Sequence, residues 1–299
     1  MIQLFNIPQY KIDTSRFSSL LHDKIVREFE ENFCEYVGGK YAVSLNSATT
    51  AIFLLLNTLK IKIQVPSIIP PVVVNVLIHA GGDVEFNDDI GWVGGSYSLN
   101  KWIVDSAQRV DRDQCKNFAG VTFFSFYPTK PVGGCDGGMI VYNNNPDITE
   151  YIRTLSFNGM SQEQNNWERK QTMIGYKAYM NSIQAYIANE NLKRLDEKKE
   201  KLSEIRLAYN NEFGLSHTSD HLYRVKVTDN KDFIKKAKDA GIVCGIHYEA
   251  AHQNLVFGKT DQHLPLSDEA AKTMVSIPFH EKLTKKEIQT VIRFVNENR

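Results

Sequence analysis

The chain has 299 residues, with 35 Lys plus Arg against 35 Asp plus Glu, 42% hydrophobic and 11% aromatic residues. At this length roughly 75% of the unfolded surface is buried on folding, so one large domain, or a large and a smaller one, is expected, and disorder or a small disulfide scaffold is excluded. The balanced charge leaves no overall electrostatic footprint for nucleic acid or anionic lipid, so any anion recognition must be local.

Cys34, Cys115, Cys135 and Cys244 form no C-x-x-C pair, which argues against zinc, iron–sulfur or a disulfide framework and for a reducing, cytoplasmic setting. The N-terminus MIQLFNIPQYKIDTSRF has no signal-peptide pattern. The longest apolar stretch, Val65 to Ile78, is broken by Pro66, Pro70, Pro71 and Asn75, too short and interrupted to span a bilayer. A soluble protein without a membrane partner is expected.

In chain order, Val26, Phe29, Phe33 and Val37 recur at helical spacing, and Gly38-Gly39 stops the helix. Tyr41 to Leu45 reads as a buried strand and Ala51 to Leu59 as an apolar helix, joined by Asn46-Ser47-Ala48-Thr49-Thr50. Asp83 to Phe86, Trp102 to Val104, Val121 to Phe126 and Met139 to Tyr142 read as strands of one sheet, with Val72 to His79 as helix between the early ones. The first half is therefore α/β. Gln184 to Phe213 reads as one long half-exposed helix with Leu192, Leu195, Leu202 and Ile205 on one stripe, joining two domains. Beyond it come a strand at Leu222 to Val227, a helix at Asp232 to Gly241, a strand near Ile242 to His247, and a helix at Thr284 to Asn298 opened by a Thr284–Glu287 capping box. The expected division is a large α/β domain, 1–183, and a linking helix with a small α+β domain, 184–299.

No Rossmann fingerprint, P-loop, metalloprotease motif or nucleophile elbow is present, and no metal site is expected. His217 and His221 are four apart, but in a polar segment that makes a poor metal pair. Three features fall where strands of an open α/β sheet end, the usual ligand edge. Ser47-Ala48-Thr49 before a helix offers hydroxyls and free N–H groups to a phosphate, or is a plain N-cap. Asp105 follows the strand Trp102-Ile103-Val104. It reads either as a helix cap or as a buried carboxylate able to keep a pyridinium nitrogen protonated. Lys130 lies in a tight turn after Phe124-Ser125-Phe126. Surface exposure is the ordinary reading of such a lysine, and desolvation to a Schiff-base nucleophile the other.

Taken with further segments along the chain, these features resemble a known family. VDSAQRV (104–110), FFSFYPTKPVGGCDGGMIVYNN (123–144), GYKAYMNSIQAYIANENLKRLD (175–196), GIHYE (245–249) and SIPFHEKLT (276–284) are similar, in order, to segments of the pyridoxal-phosphate sugar aminotransferases of the DegT/DnrJ/EryC1/StrS family. The resemblance implies the type I pyridoxal-phosphate transferase fold of aspartate aminotransferase, with a mixed, mostly parallel sheet flanked by helices. It also implies a homodimer with shared sites. Lys130 matches the lysine that carries the cofactor as a Schiff base, and Asp105 the partner of the pyridine nitrogen. Gln108 matches the glutamine beside the cofactor's phenolic oxygen. Ser125, with the backbone of Ala48 and the hydroxyl of Thr49, matches the phosphate cradle, Ala48 standing where a glycine is common, and Ser47 is the adjoining residue of the same turn. Lys177 stands where many members carry an asparagine that reaches the neighbour's phosphate.

Two departures stand out. Where members place an aromatic residue against the cofactor ring, this chain has Ile68, Ile69, Pro70 and Pro71, so any stacking is expected to be aliphatic. Between Phe86 and Trp102 lie only 15 residues, too few for the helix plus strand that the family inserts there. The function implied is transfer of an amino group, with glutamate as donor, to a nucleotide-linked keto-deoxysugar in amino-sugar or surface-polysaccharide synthesis. The alternative is a non-catalytic regulatory or assembly subunit on the same fold. His247, Tyr248 and His280 are left without a role.

Overall fold

The computed structural model describes residues 1–7, 10–21, 23–57, 62–161, 166–257 and 261–299. Helix α1 (Ile25–Val37) buries Ile25, Phe29, Phe33 and Val37 and ends where Gly38 turns left-handed at φ 72°, a conformation that glycine adopts without a Cβ penalty. Strand β1 (Tyr41–Leu45) leads into α2 (Ala48–Leu56). The helix starts three residues before Ala51 because Ser47 Oγ accepts the Thr50 amide at 3.1 Å, drawing the small residues into its first turn. The expected helix end at Thr58 and Leu59 lies outside the described residues.

Strands β2 (Lys62–Pro66) and β3 (Asp83–Asn87) flank α3 (Pro71–His79), and β4 (Tyr97–Asn100), β5 (Ile103–Asp105), β6 (Val121–Ser125) and β7 (Gly138–Tyr142) follow. The strands of the first half do not share one sheet, contrary to expectation. One five-stranded sheet has the order β1-β7-β6-β5-β4, while β2 and β3 form a separate parallel pair. Strands β5 and β6 are parallel, whereas β7 is antiparallel to both its neighbours and β4 is antiparallel to β5. The reason for β4 is length: a parallel neighbour needs a crossover of a dozen or more residues, and a hairpin does not. The chain therefore folds back, placing Tyr97 opposite Asp105.

Along β1, β6 and β7 the side chains alternate between two cores. Val43, Phe123 and Ile140 face the one under α2 and α3. Ala42, Phe124 and Val141 face the one under α1, as strand geometry requires. After α4 (Asp147–Ser156), the expected single helix is two, α5 (Ser182–Leu192) and α6 (Leu195–Phe213). The apolar stripe is continuous in period, but α5 buries Ala185, Ala188 and Leu192 in the α1 core, while Leu202, Ile205, Tyr209 and Phe213 of α6 enter a third core. The break is a two-residue turn at 193–194 between them. That third core also holds β8 (Tyr223–Lys226), α7 (Asn230–Asp239), β9 (Met274–Ile277) and α9 (Lys285–Asn298), with α8 (Pro265–Thr273) preceding β9. The stretch 242–247 is not a strand. It makes single bridges, Ile242 to Ile2 and Gly245 to Ser276, because it passes from the N-terminal segment to β9 within four residues. The Thr284–Glu287 capping box of α9 is present. Among the described residues no helix is long and apolar enough to cross a membrane.

Candidate active site

Strands β1, β5 and β6 run in the same direction, and their C-terminal ends open on one cavity of about 440 Å³, within the usual range of small-ligand sites. Ser47, Ala48 and Thr49 line it from the start of α2, Asp105 and Gln108 from the end of β5, and Ser125 and Lys130 from the end of β6. Seven of the eight sequence-predicted site residues therefore meet. Lys177 does not line the cavity. Its side chain is exposed, on a segment bridged to Phe157.

The end of the cavity at the start of α2 is built by backbone. Ser47 is spent as the N-cap of α2, its Oγ also within 2.9 Å of Thr50 Oγ1, so the first-turn amides of Ala48 and Thr49 are the groups left at the positive end of the helix. Strand β7 presses against this turn, and a Cβ on Gly138 would stand 2.3 Å from Ala48 N. Only glycine lets strand and turn approach so closely.

Asp105 is 3% exposed. Its Oδ1 accepts the Ala107 amide at 2.9 Å and its Oδ2 accepts the Tyr97 hydroxyl at 2.6 Å. Burial raises the carboxyl's pKa, while the Tyr97 and Ala107 hydrogen bonds and the Lys130 charge act in the opposite direction. Lys130 sits in the turn closed by its own amide to Tyr127 O at 2.9 Å. Burial pushes its amine down to about 8, with the negative charge of Asp105 opposing the shift. Lys130 is half-buried in the cavity wall and not a fully exposed surface lysine. Gln108 is engaged at both ends, Oε1 accepting the Gly94 amide at 2.8 Å and Nε2 donating to the Tyr248 hydroxyl at 2.9 Å.

The apolar wall corrects the expectation of aliphatic packing alone. Pro70, Val72, Val73 and Val76 line the cavity, but so do Trp92, Tyr97 and Tyr248. Trp92 and Tyr248 are parallel within 9° at 6.4 Å between centroids, and Trp92 meets Tyr97 edge-on at 4.4 Å. Tyr97 escapes a sequence reading because β4 is four residues long, too short for a clear period, and Trp92 because it lies in the turn before that strand. The one available signal is the alternation of Tyr97 and Leu99 before the Asn100-Lys101 turn. Of the unassigned residues, only Tyr248 lines the cavity. His247 Nδ1 lies 2.9 Å from Ser276 Oγ, and burial lowers the imidazole to about 4.

A strand-end cavity that joins a half-buried amine, a buried carboxylate and the free first-turn amides of a helix offers the donor set that a lysine-dependent transferase acting with a phosphorylated cofactor requires. The chain belongs to the DegT/DnrJ/EryC1/StrS aminotransferase family, whose profile matches residues 11–88 and 106–296. It is 26% identical to the UDP-4-amino-4,6-dideoxy-N-acetyl-beta-L-altrosamine transaminase of Campylobacter jejuni, over 96% of this chain and 94% of that one. Among solved structures, the aminotransferase TlmJ of Streptoalloteichus hindustanus superposes with a TM-score of 0.84 at 21% identity, covering 99% of this chain and 98% of the other. NtdA of Bacillus subtilis, solved with bound cofactor PMP, superposes with a TM-score of 0.80 at 19% identity, covering 93% and 78%.

Proposed function

We propose that the enzyme transfers an amino group from an amino acid, glutamate first among candidates, to a nucleotide-linked keto-deoxysugar, on the type I pyridoxal-phosphate fold. The cofactor is pyridoxal 5′-phosphate. The residues fit it: the Ala48 and Thr49 amides, with Ser125 at the same end of the sheet, suit its phosphate. Asp105 suits its ring nitrogen and Lys130 its aldehyde carbon, and Gly138 keeps the cradle open, since any Cβ there would meet Ala48. The meeting of Lys130 and Asp105 in one cavity with that cradle is the observation that carries this reading.

When bound, the cofactor supplies an electron sink for the pair left as a carbon–hydrogen bond breaks. The protein's own groups do the rest. Lys130 Nζ, with its pKa near 8, has a lone pair available at neutral to mildly alkaline pH and moves the proton to and from the carbon that bears the nitrogen. Asp105, held by two hydrogen bonds, keeps the ring nitrogen protonated. Trp92, Tyr248 and the valines of α3 exclude water around them. Because donor and acceptor use the same groups in turn, the kinetics are ping-pong.

Two domains, 1–183 and 184–299, fit the separate core around β8 and β9, although α5 still packs on α1. Lys177, exposed and away from its own cavity, is free to reach a second copy's phosphate in a homodimer. The similarity to a nucleotide-sugar transaminase supports the acceptor class. Incubation of the cofactor-loaded protein with glutamate tests the first half-reaction: formation of the aminated cofactor and one equivalent of 2-oxoglutarate is expected. A protein that binds the cofactor and never aminates it with any amino acid would be a non-catalytic member of the fold.

A further inference from the structure

The connection from β3 to β5 lies within the one internal gap of the family match, residues 89–105. It is the segment too short for the helix plus strand that the family resemblance implies there, and it is tied to the site at three successive points. The Gly94 amide donates to Gln108 Oε1 at 2.8 Å, Ser96 Oγ lies 2.7 Å from Ser106 Oγ, and the Tyr97 hydroxyl donates to Asp105 Oδ2 at 2.6 Å. The register that pairs Tyr97 with Asp105 exists only because β4 folds back antiparallel.

We propose that Tyr97 is a positioning residue for Asp105, fixing the carboxylate that faces the cofactor's ring nitrogen, so that the short hairpin completes the site instead of truncating it. This rests on the functional reading above. Asp105 has one backbone donor, Ala107 N, on one oxygen. Without Tyr97 the other oxygen would be a buried acceptor with no protein donor, which is costly. Tyr97 is itself held in place: it is buried in the hairpin and packed edge-on against Trp92, whose indole N–H donates to Ile68 O at 2.9 Å. The phenol has no other side-chain partner to turn to among the described residues.

The test is a double-mutant cycle on cofactor affinity. Apo-protein is titrated with pyridoxal phosphate, following visible absorbance, for wild type, Tyr97→Phe, Asp105→Asn and the double variant. A hydrogen bond to a charged group predicts roughly 10- to 100-fold weaker binding in Tyr97→Phe. Little further loss, under about twofold, is expected when the same change is made in Asp105→Asn, because the two act as one unit. In Tyr97→Phe kcat falls more than KM changes, and the pH at which the visible band titrates moves away from wild type. Ser96→Ala, which cuts the neighbouring tie without touching Asp105, is expected to bind within about twofold of wild type. Thermal melts of the apo-proteins verify that each variant folds. Equal losses in both backgrounds, or wild-type affinity in Tyr97→Phe, would overturn the proposal while leaving the function intact. A wild-type protein that takes up no cofactor would overturn the functional reading and this proposal with it.

Discussion

Gly138→Ala isolates the phosphate cradle from the chemistry. The added Cβ would lie 2.3 Å from Ala48 N, and 2.5 Å from both Ala48 Cα and Ser47 C. All three are backbone atoms, so no side chain can swing aside. Ordinary contacts start near 3.4 Å, so strand and turn must part by about 1 Å. Strand β7 is pinned on both sides, Gly138 lying opposite Leu45 in β1 and Ser125 in β6, so the yielding partner is the turn that carries the Ala48 and Thr49 amides. Overpacking of this kind typically costs about 1–3 kcal/mol of stability. A displacement of about 1 Å in a positioned donor set costs on the order of 10²-fold in function. Urea unfolding of the apo-protein is expected to show the stability loss. Titration with pyridoxal phosphate is expected to show affinity reduced roughly 10- to 100-fold, with Lys130 still reactive toward a phosphate-free aldehyde such as pyridoxal. Undiminished affinity for pyridoxal phosphate would refute the assignment of this turn as the cradle.

Other outcomes follow from the same structure. Capture of the cofactor by apo-protein requires the neutral amine of Lys130. With its pKa lowered to about 8, the capture rate should rise with pH through about 8 and level off above it, instead of climbing towards 10; a rate still rising tenfold per unit at pH 9.5 would contradict the desolvated lysine. Glu30, 3% exposed, accepts Arg153 Nη2 at 2.7 Å and the Ser44 amide at 2.8 Å, tying α1 to α4 and β1. Glu30→Ala leaves a nearly buried guanidinium without its carboxylate and should cost about 3–5 kcal/mol, read as a lowered urea midpoint; a change under about 1 kcal/mol would show that the pair is not structural. Light scattering should give the mass of two chains, and Lys177→Ala should weaken cofactor binding without dissociating them. A strictly monomeric active enzyme would refute the shared-site role of Lys177.

The strand-end positions of Asp105, Lys130 and Ser47-Ala48-Thr49 were legible because each sits beside a strongly patterned element, the largely apolar strands before Asp105 and Lys130 and the capped apolar helix after Ser47; the roles expected of them came from the family resemblance. Periodicity also located α1, α3, α7 and α9. It could not separate α5 from α6, because the apolar stripe runs through 193–194 unchanged and only the existence of two cores demands a break. It missed β4 and β2 for a different reason. Four residues alternating once carry no period, and a strand such as Lys62–Pro66, buried at alternate positions and ending in proline, reads like the flank of a loop. The consequence was largest at the site. The short connection looked like a loss, yet the antiparallel register that turns Tyr97 onto Asp105 is a long-range property of the sheet. Trp92 likewise enters the cavity through a hydrogen bond to Ile68, 24 residues away, which no local pattern announces.

The most direct test of the central claim is the visible absorption spectrum of the purified protein with pyridoxal phosphate, recorded beside Lys130→Ala, before and after addition of glutamate. The account predicts a yellow band for the lysine-bound cofactor in the wild type, absent from the variant, that bleaches on addition of glutamate as the aminated cofactor forms. A wild-type protein that stays colourless, or a band of equal strength in Lys130→Ala, would contradict it.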